Sequence, residues 1–149
     1  MANTGKVVAI LAILVLLQVS CAAGRHVQVK DSSQRVGVHD APAVMSLTSF
    51  EKGDGDTGPA ECDGKYHSDG LFLASLTSGW YGGGVRCGKM IRVATPGPRG
   101  LAVEAMVVDE CDIEQGCGVR EITTSAAVWK ALGIDVSVGQ VTVNWSDLS

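Results

Sequence analysis

The chain has 149 residues, 46% of them hydrophobic and 19% charged, which sets one domain of ordinary size and excludes a large multidomain enzyme. Lysine and arginine number 12 against 16 acidic residues, a balance without the basic surplus that binding to a phosphate backbone needs, so no nucleic-acid partner is expected. Nineteen glycines with few aromatics suit short strands and tight turns better than long amphipathic helices.

Lys6 precedes the apolar run Val7–Leu17, and small residues follow at Ser20, Cys21, Ala22 and Ala23. That pattern predicts a signal peptide over residues 1–23, cleaved after Ala22 or Ala23, because the run is too short to span a bilayer comfortably. A lipidated Cys21 is the rival reading, but Gln18 stands where a lipobox has leucine. Residues 24–44 are polar and without period, the mark of a flexible segment, and one domain is expected over 45–149. Four cysteines remain, Cys62, Cys87, Cys111 and Cys117. An even number in a secreted chain reads as two disulfides, with three pairings open. Zinc is disfavoured because no pair of cysteines has C-x₂-C spacing.

Met45–Phe50 alternates as a half-buried strand does. Lys52–Pro59 is rich in Gly and Asp; Pro59 and Lys65 occupy the Gly and Glu positions of a calcium loop, so a solvated turn is expected. A strand follows at Leu71–Thr77, then a turn at Tyr81–Gly84 where side chains would be strained. Lys89–Thr95 and Leu101–Val108 flank a Pro- and Gly-rich loop and read as a hairpin. A helix is predicted over Ser125–Leu132, with Ser or Thr at its start to accept the first free amide protons and Gly133 to end it. Gln140–Trp145 alternates again, placing Val141, Val143 and Trp145 on one face. Asn144-Trp-Ser146 satisfies the N-glycosylation pattern, with Asn144 facing out if Trp145 faces in.

Ala60-Glu-Cys-Asp-Gly-Lys-Tyr-His67, Leu76-Thr-Ser-Gly-Trp80, Arg86-Cys-Gly-Lys-Met-Ile-Arg92, Val107-Val-Asp-Glu-Cys-Asp112, Gly116-Cys117 and Ala127-Val-Trp-Lys-Ala-Leu-Gly133 resemble the plant kiwellins and ripening-related proteins over about Leu47 to Asp147. The resemblance implies a mainly β fold, a six-stranded double-psi β-barrel with one short helix, as in barwin and the first expansin domain. It also implies the disulfide pairs Cys62–Cys87 and Cys111–Cys117. The sequence departs from the family in two places. No cysteine precedes Cys62 after the leader, so the N-terminal module of full-length kiwellins is lacking, and Cys117 runs almost directly into Gly118–Thr124, where relatives carry a longer loop.

In catalytic relatives of this barrel an Asp just before the helix is the general acid. Thr123 takes that place here, and a hydroxyl cannot donate a proton as a carboxylic acid does. Asp109, Glu110, Asp112 and Glu114 remain as a carboxylate cluster, in which Asp109 reads as a partner for loop amides rather than as a base. His67 has no nucleophile to serve and reads as a surface or packing residue. Trp80 and Tyr81 are candidate contacts before the glycine turn, Tyr81 the more exposed, while Trp129 and Trp145 read as core. The sequence thus points to a non-enzymatic, monomeric protein of the apoplast or cell wall with no cofactor, no metal and no membrane attachment after leader removal. Its binding residues are Trp80, Tyr81, Asp109 and Asp112. The resemblance implies secreted protein partners, including those of pathogens; the alternative is an expansin-like protein that binds or loosens wall polysaccharide.

Overall fold

The computed structural model describes residues 37–54 and 57–148. The expected leader over 1–23, and residues 24–36 of the segment after it, lie outside the described residues. Six strands are formed: β1 (Ala41–Leu47), β2 (Leu73–Thr77), β3 (Met90–Ala94), β4 (Ala102–Cys111), β5 (Glu121–Thr124) and β6 (Gln140–Asp147). They close into a barrel in the order β1-β5-β2-β4-β3-β6. β1 with β5 and β2 with β4 are parallel; the other four neighbouring pairs are antiparallel.

Alternation sets the inner face. Ala43 and Met45 of β1, Ala74 and Leu76 of β2, Ile91 and Val93 of β3, and Val143 and Trp145 of β6 all enter one core, as period-2 geometry requires. A helix α2 (Ala126–Ala131) adds Val128 and Trp129 to it, and Leu132 follows. Trp129 and Trp145 are both fully buried, each taking roughly 200 Å² out of water. Leu73 and Val108 face the other way and, with Phe50 and Ala60, form a second cluster outside the barrel. Asp69 holds the loop over that cluster, accepting Ser49 Oγ at 2.6 Å and the Phe50 N–H at 2.8 Å.

Several boundaries differ from the expectations. The first strand starts at Ala41 rather than near Met45, because Ala43 already has a place in the core and β1 pairs with β6 from Ala41 onward. Leu71 and Phe72 are exposed and precede β2. β4 runs on to Cys111, so Asp109 stands inside a strand rather than in a turn. The turn after β2 is a short helix α1 (Ser78–Tyr81) followed by Gly82, Gly83 and Gly84, all at positive φ (61°, 66° and 94°), where side chains would be strained. Gly133 ends α2 at φ 68° as expected. Ser125 does not cap α2 with its side chain. Its hydroxyl instead donates to the Leu71 carbonyl at 2.6 Å and accepts the Leu73 N–H at 3.2 Å, serving the start of β2. The hairpin of β3 and β4 forms as expected, and it needs Gly100, because a Cβ there would lie 2.1 Å from the Thr95 carbonyl oxygen.

Candidate functional site

A β-bulge builds the site. β2 and β4 run in register through Ala74 opposite Val107, and then Ser75 stands opposite Asp109, leaving Val108 as an extra residue on β4. Without that insertion the alternation of Ala105 and Val107 would carry Asp109 into the core; the bulge turns it outward beside Ser75. Ser75 also stands opposite Thr123 on β5. Thr123, Ser75 and Asp109 therefore form one row across three adjacent strands, and the row is the floor of an open cleft of about 390 Å³.

The walls are two loops. Thr57, Gly58, Pro59 and Glu61 stand on one side; Asp112, Gln115 and Cys117 stand on the other. The second loop is closed by the disulfide Cys111–Cys117 and wound by Asp112, whose Oδ1 accepts the Glu114 N–H at 2.8 Å while its carbonyl accepts those of Gln115 and Cys117. Glu121 anchors the loop's far end, accepting the Gly118 N–H at 2.8 Å and the Ser46 hydroxyl. Cys111, Cys117 and Glu121 come close enough together to suggest a metal site, but both sulfurs are spent in the disulfide. The other disulfide joins Cys62 to Cys87, so both pairs match those the resemblance implies.

Asp109 Oδ1 accepts two backbone N–H groups, from Glu61 at 2.8 Å and from Glu110 at 2.9 Å. It thereby ties one cleft wall to the floor, the amide-holding role expected of it. Burial pushes its carboxyl above the usual carboxylate range, and the charges of Glu61 and Glu110 add to that; the two amide bonds pull the other way. The lining carries Glu61, Asp109, Glu110 and Asp112 and no basic residue among those described. Thr123 donates its hydroxyl to Ser75 Oγ at 3.1 Å, so at the acid position of catalytic barrels stands a neutral hydroxyl pair.

The structure brings Asp109 and Asp112 together and leaves Trp80 and Tyr81 out. Tyr81, expected to be exposed, is buried at 6%. α1 brings it into the core cluster, and its hydroxyl lies 3.4 Å from Cys87 Sγ. Burial raises its pKa, with the charges of Glu61, Glu110 and Asp109 acting in the same direction. Trp80 is half-buried, its ring tilted on Trp145 with centroids 5.0 Å apart and its carbonyl held by Arg86. No aromatic side chain is among the described lining residues. His67 pairs with Asp63 at 3.0 Å, away from the cleft. Thr48, Thr57, Glu61, Ser75 and Gln115 line the site without having been expected there. Alternation about Ala74 and Leu76 marks Ser75 as facing out of the core, but nothing local marks the others, which reach the cleft through loop closure.

The family model described as Kiwellin-1 matches residues 17–148. The chain belongs to the kiwellin family. A ripening-related protein of Oryza sativa subsp. japonica, number 6 of its series, is 45% identical over 168 aligned positions that take in 99% of each chain. The kiwellin of Actinidia chinensis var. chinensis is 42% identical over 115 residues, 70% of this chain and 53% of that one, so this family member spans about half of that relative. Among solved structures, a point mutant of the Clavibacter michiganensis expansin in complex with cellohexaose superposes with a TM-score of 0.58 at 23% identity, over 74% of this chain and 51% of that one. The Streptomyces papain inhibitor superposes with a TM-score of 0.56 at 17% identity, over 76% and 98%. Those likenesses fix the fold of this kiwellin-family barrel as double-psi.

Proposed function

We propose that the protein is secreted after removal of residues 1–23 and acts in the apoplast or cell wall by binding other secreted proteins, including those of pathogens, without catalysis. The observation that carries this reading is the floor of the cleft, where Asp109 faces a neutral Thr123–Ser75 hydroxyl pair. Glycoside cleavage commonly needs a second carboxylate across the scissile bond, and Asp109 is itself occupied with two backbone amides.

The other reading is binding of wall polysaccharide, and it draws on the cellohexaose complex of the expansin. Sugar-binding clefts use aromatic faces as stacking platforms; this lining offers carboxylates and hydroxyls instead. Acidic walls suit lysine and arginine side chains of a protein partner, to which charge complementarity gives specificity and fast association.

Gln115 tests the choice, being exposed on the cleft wall and held only by a long 3.4 Å bond to Asp112 among the described residues. Immobilised protein exposed to apoplastic fluid from infected leaves is expected to retain a secreted protein. Gln115→Arg is expected to cut that retention at least about tenfold, the effect of roughly 1.4 kcal/mol of lost complementarity, while a glycan array stays blank for both forms. Binding on the array, with protein capture unchanged by Gln115→Arg, would overturn the reading in favour of polysaccharide.

A further inference from the structure

We infer that Asn144 is an N-glycosylation site whose glycan covers the face of the barrel opposite the cleft. The chain has only two asparagines, Asn3 and Asn144, and Asn144 alone is followed by the x-Ser pattern. The strand sets the geometry. Val143 and Trp145 are fully buried, so Asn144 and Ser146, two residues apart on β6, both stand on the outer face, and both are partly exposed. Pro42, opposite Asn144 on β1, is exposed, so the face is open on that side, while the small Ala94 opposite it on β3 is buried.

The barrel order places the glycan. β6 is three strands from β2 in either direction around the closed ring β1-β5-β2-β4-β3-β6, and β2 is the middle strand of the cleft floor. A glycan on Asn144 thus leaves the cleft free for a partner and shields the opposite side. In the reaction the carboxamide nitrogen bonds to the anomeric carbon of an oligosaccharide. The bond from that carbon to a lipid pyrophosphate breaks, and the amide gives up one proton. The folded barrel resists the step, since β6 is laddered to β1 on one side and β3 on the other. Modification therefore precedes barrel closure and competes with it.

The inference rests on passage through the secretory pathway, and the test separates the two. The full chain is translated in the presence of endoplasmic-reticulum microsomes, which supply both translocation and the lipid-linked oligosaccharide. Protection from added protease reports translocation; a mass shift removed by an endoglycosidase reports the glycan. Protected chain is expected to carry one glycan, absent from Asn144→Gln and more abundant in Ser146→Thr. Occupancy is also expected to rise when dithiothreitol keeps Cys62 and Cys87 apart and slows closure. Protected but unshifted wild type overturns the glycan site and leaves secretion standing. A shift that persists in Asn144→Gln overturns the assignment to this residue, and unprotected chain overturns both readings.

Discussion

Replacing Arg86 with methionine is expected to destabilise the barrel by about 3 kcal/mol, the scale for removing one partner of a largely buried ion pair. Arg86 meets Asp147 with two parallel bonds, Nε to Oδ1 and Nη2 to Oδ2, each 2.9 Å, and the two side chains are 16% and 20% exposed. The guanidinium also holds the Trp80 carbonyl and lies 5.4 Å from the centroid of the Trp145 ring. Methionine keeps much of the apolar stem against that ring but leaves the largely buried Asp147 carboxylate without its cation. On the other side Asp147 accepts the Val38 N–H at 2.8 Å, so the pair fastens the end of β6 to both the chain entering β1 and the segment after α1.

The pH dependence gives a second reading of the same contact. Hydrogen bonds from Arg86, first among the causes, hold the Asp147 carboxyl below the usual carboxylate range, with the Val38 amide assisting. A depressed native pKa contributes stability that is present above the unfolded value of about 3.9 and lost as pH falls through the native one. The gap between wild type and Arg86→Met in urea melts should therefore be full at pH 7 and narrow below about pH 4. A gap that does not change between pH 7 and pH 3 would show that lost packing, not the ion pair, sets the cost.

Removing Cys62–Cys87 as a double serine variant is expected to cost about 3.5 kcal/mol, against about 2 kcal/mol for Cys111–Cys117, by the loop-closure entropy of the unfolded chain. The separations are 25 and 6 residues. The longer loop also sits over structure that needs it, since Cys62 donates its N–H to the Val108 carbonyl at 3.0 Å and the Tyr81 hydroxyl lies 3.4 Å from Cys87 Sγ and 4.0 Å from Cys62 Sγ. The shorter loop carries Asp112 and Gln115 of the cleft wall, so its loss is expected to weaken partner retention more than stability. Denaturant melts of the two variants rank the costs, and equal or reversed losses would refute the ordering.

The core was legible in the sequence because it is periodic. Val143 with Trp145 obeys strand spacing and Val128 with Leu132 obeys helix spacing, and spacing is local; Ala43 escaped it, standing in the stretch before Met45 that carries no sustained period. β5 was not legible by itself: four residues, Glu-Ile-Thr-Thr, carry too little pattern to mark a strand, and β5 forms because β1 and β2 pair with it from either side. Tyr81 misled for a related reason. The glycines after it mark a turn at the surface, yet the burial of its ring depends on α1 and on a disulfide whose halves lie 25 residues apart. The direction of Asp109 depends on the bulge at Val108, a feature of register between two strands that neither segment records alone. Asp112 stood out in the sequence only as one of four carboxylates around Cys111, and loop closure sets it in the cleft wall.

The most direct measurement of the account is oligosaccharide release from plant wall polysaccharides, followed by mass spectrometry over prolonged incubation, with wild type and Asp109→Asn compared side by side. Losing a positioned general acid removes roughly 10²–10⁴ in rate, so the assay must resolve slow turnover. With Thr123 at the acid position, wild type is expected to match Asp109→Asn and buffer alone. Release by wild type that Asp109→Asn abolishes would make Asp109 a catalytic residue and contradict the reading of the cleft as a binding surface.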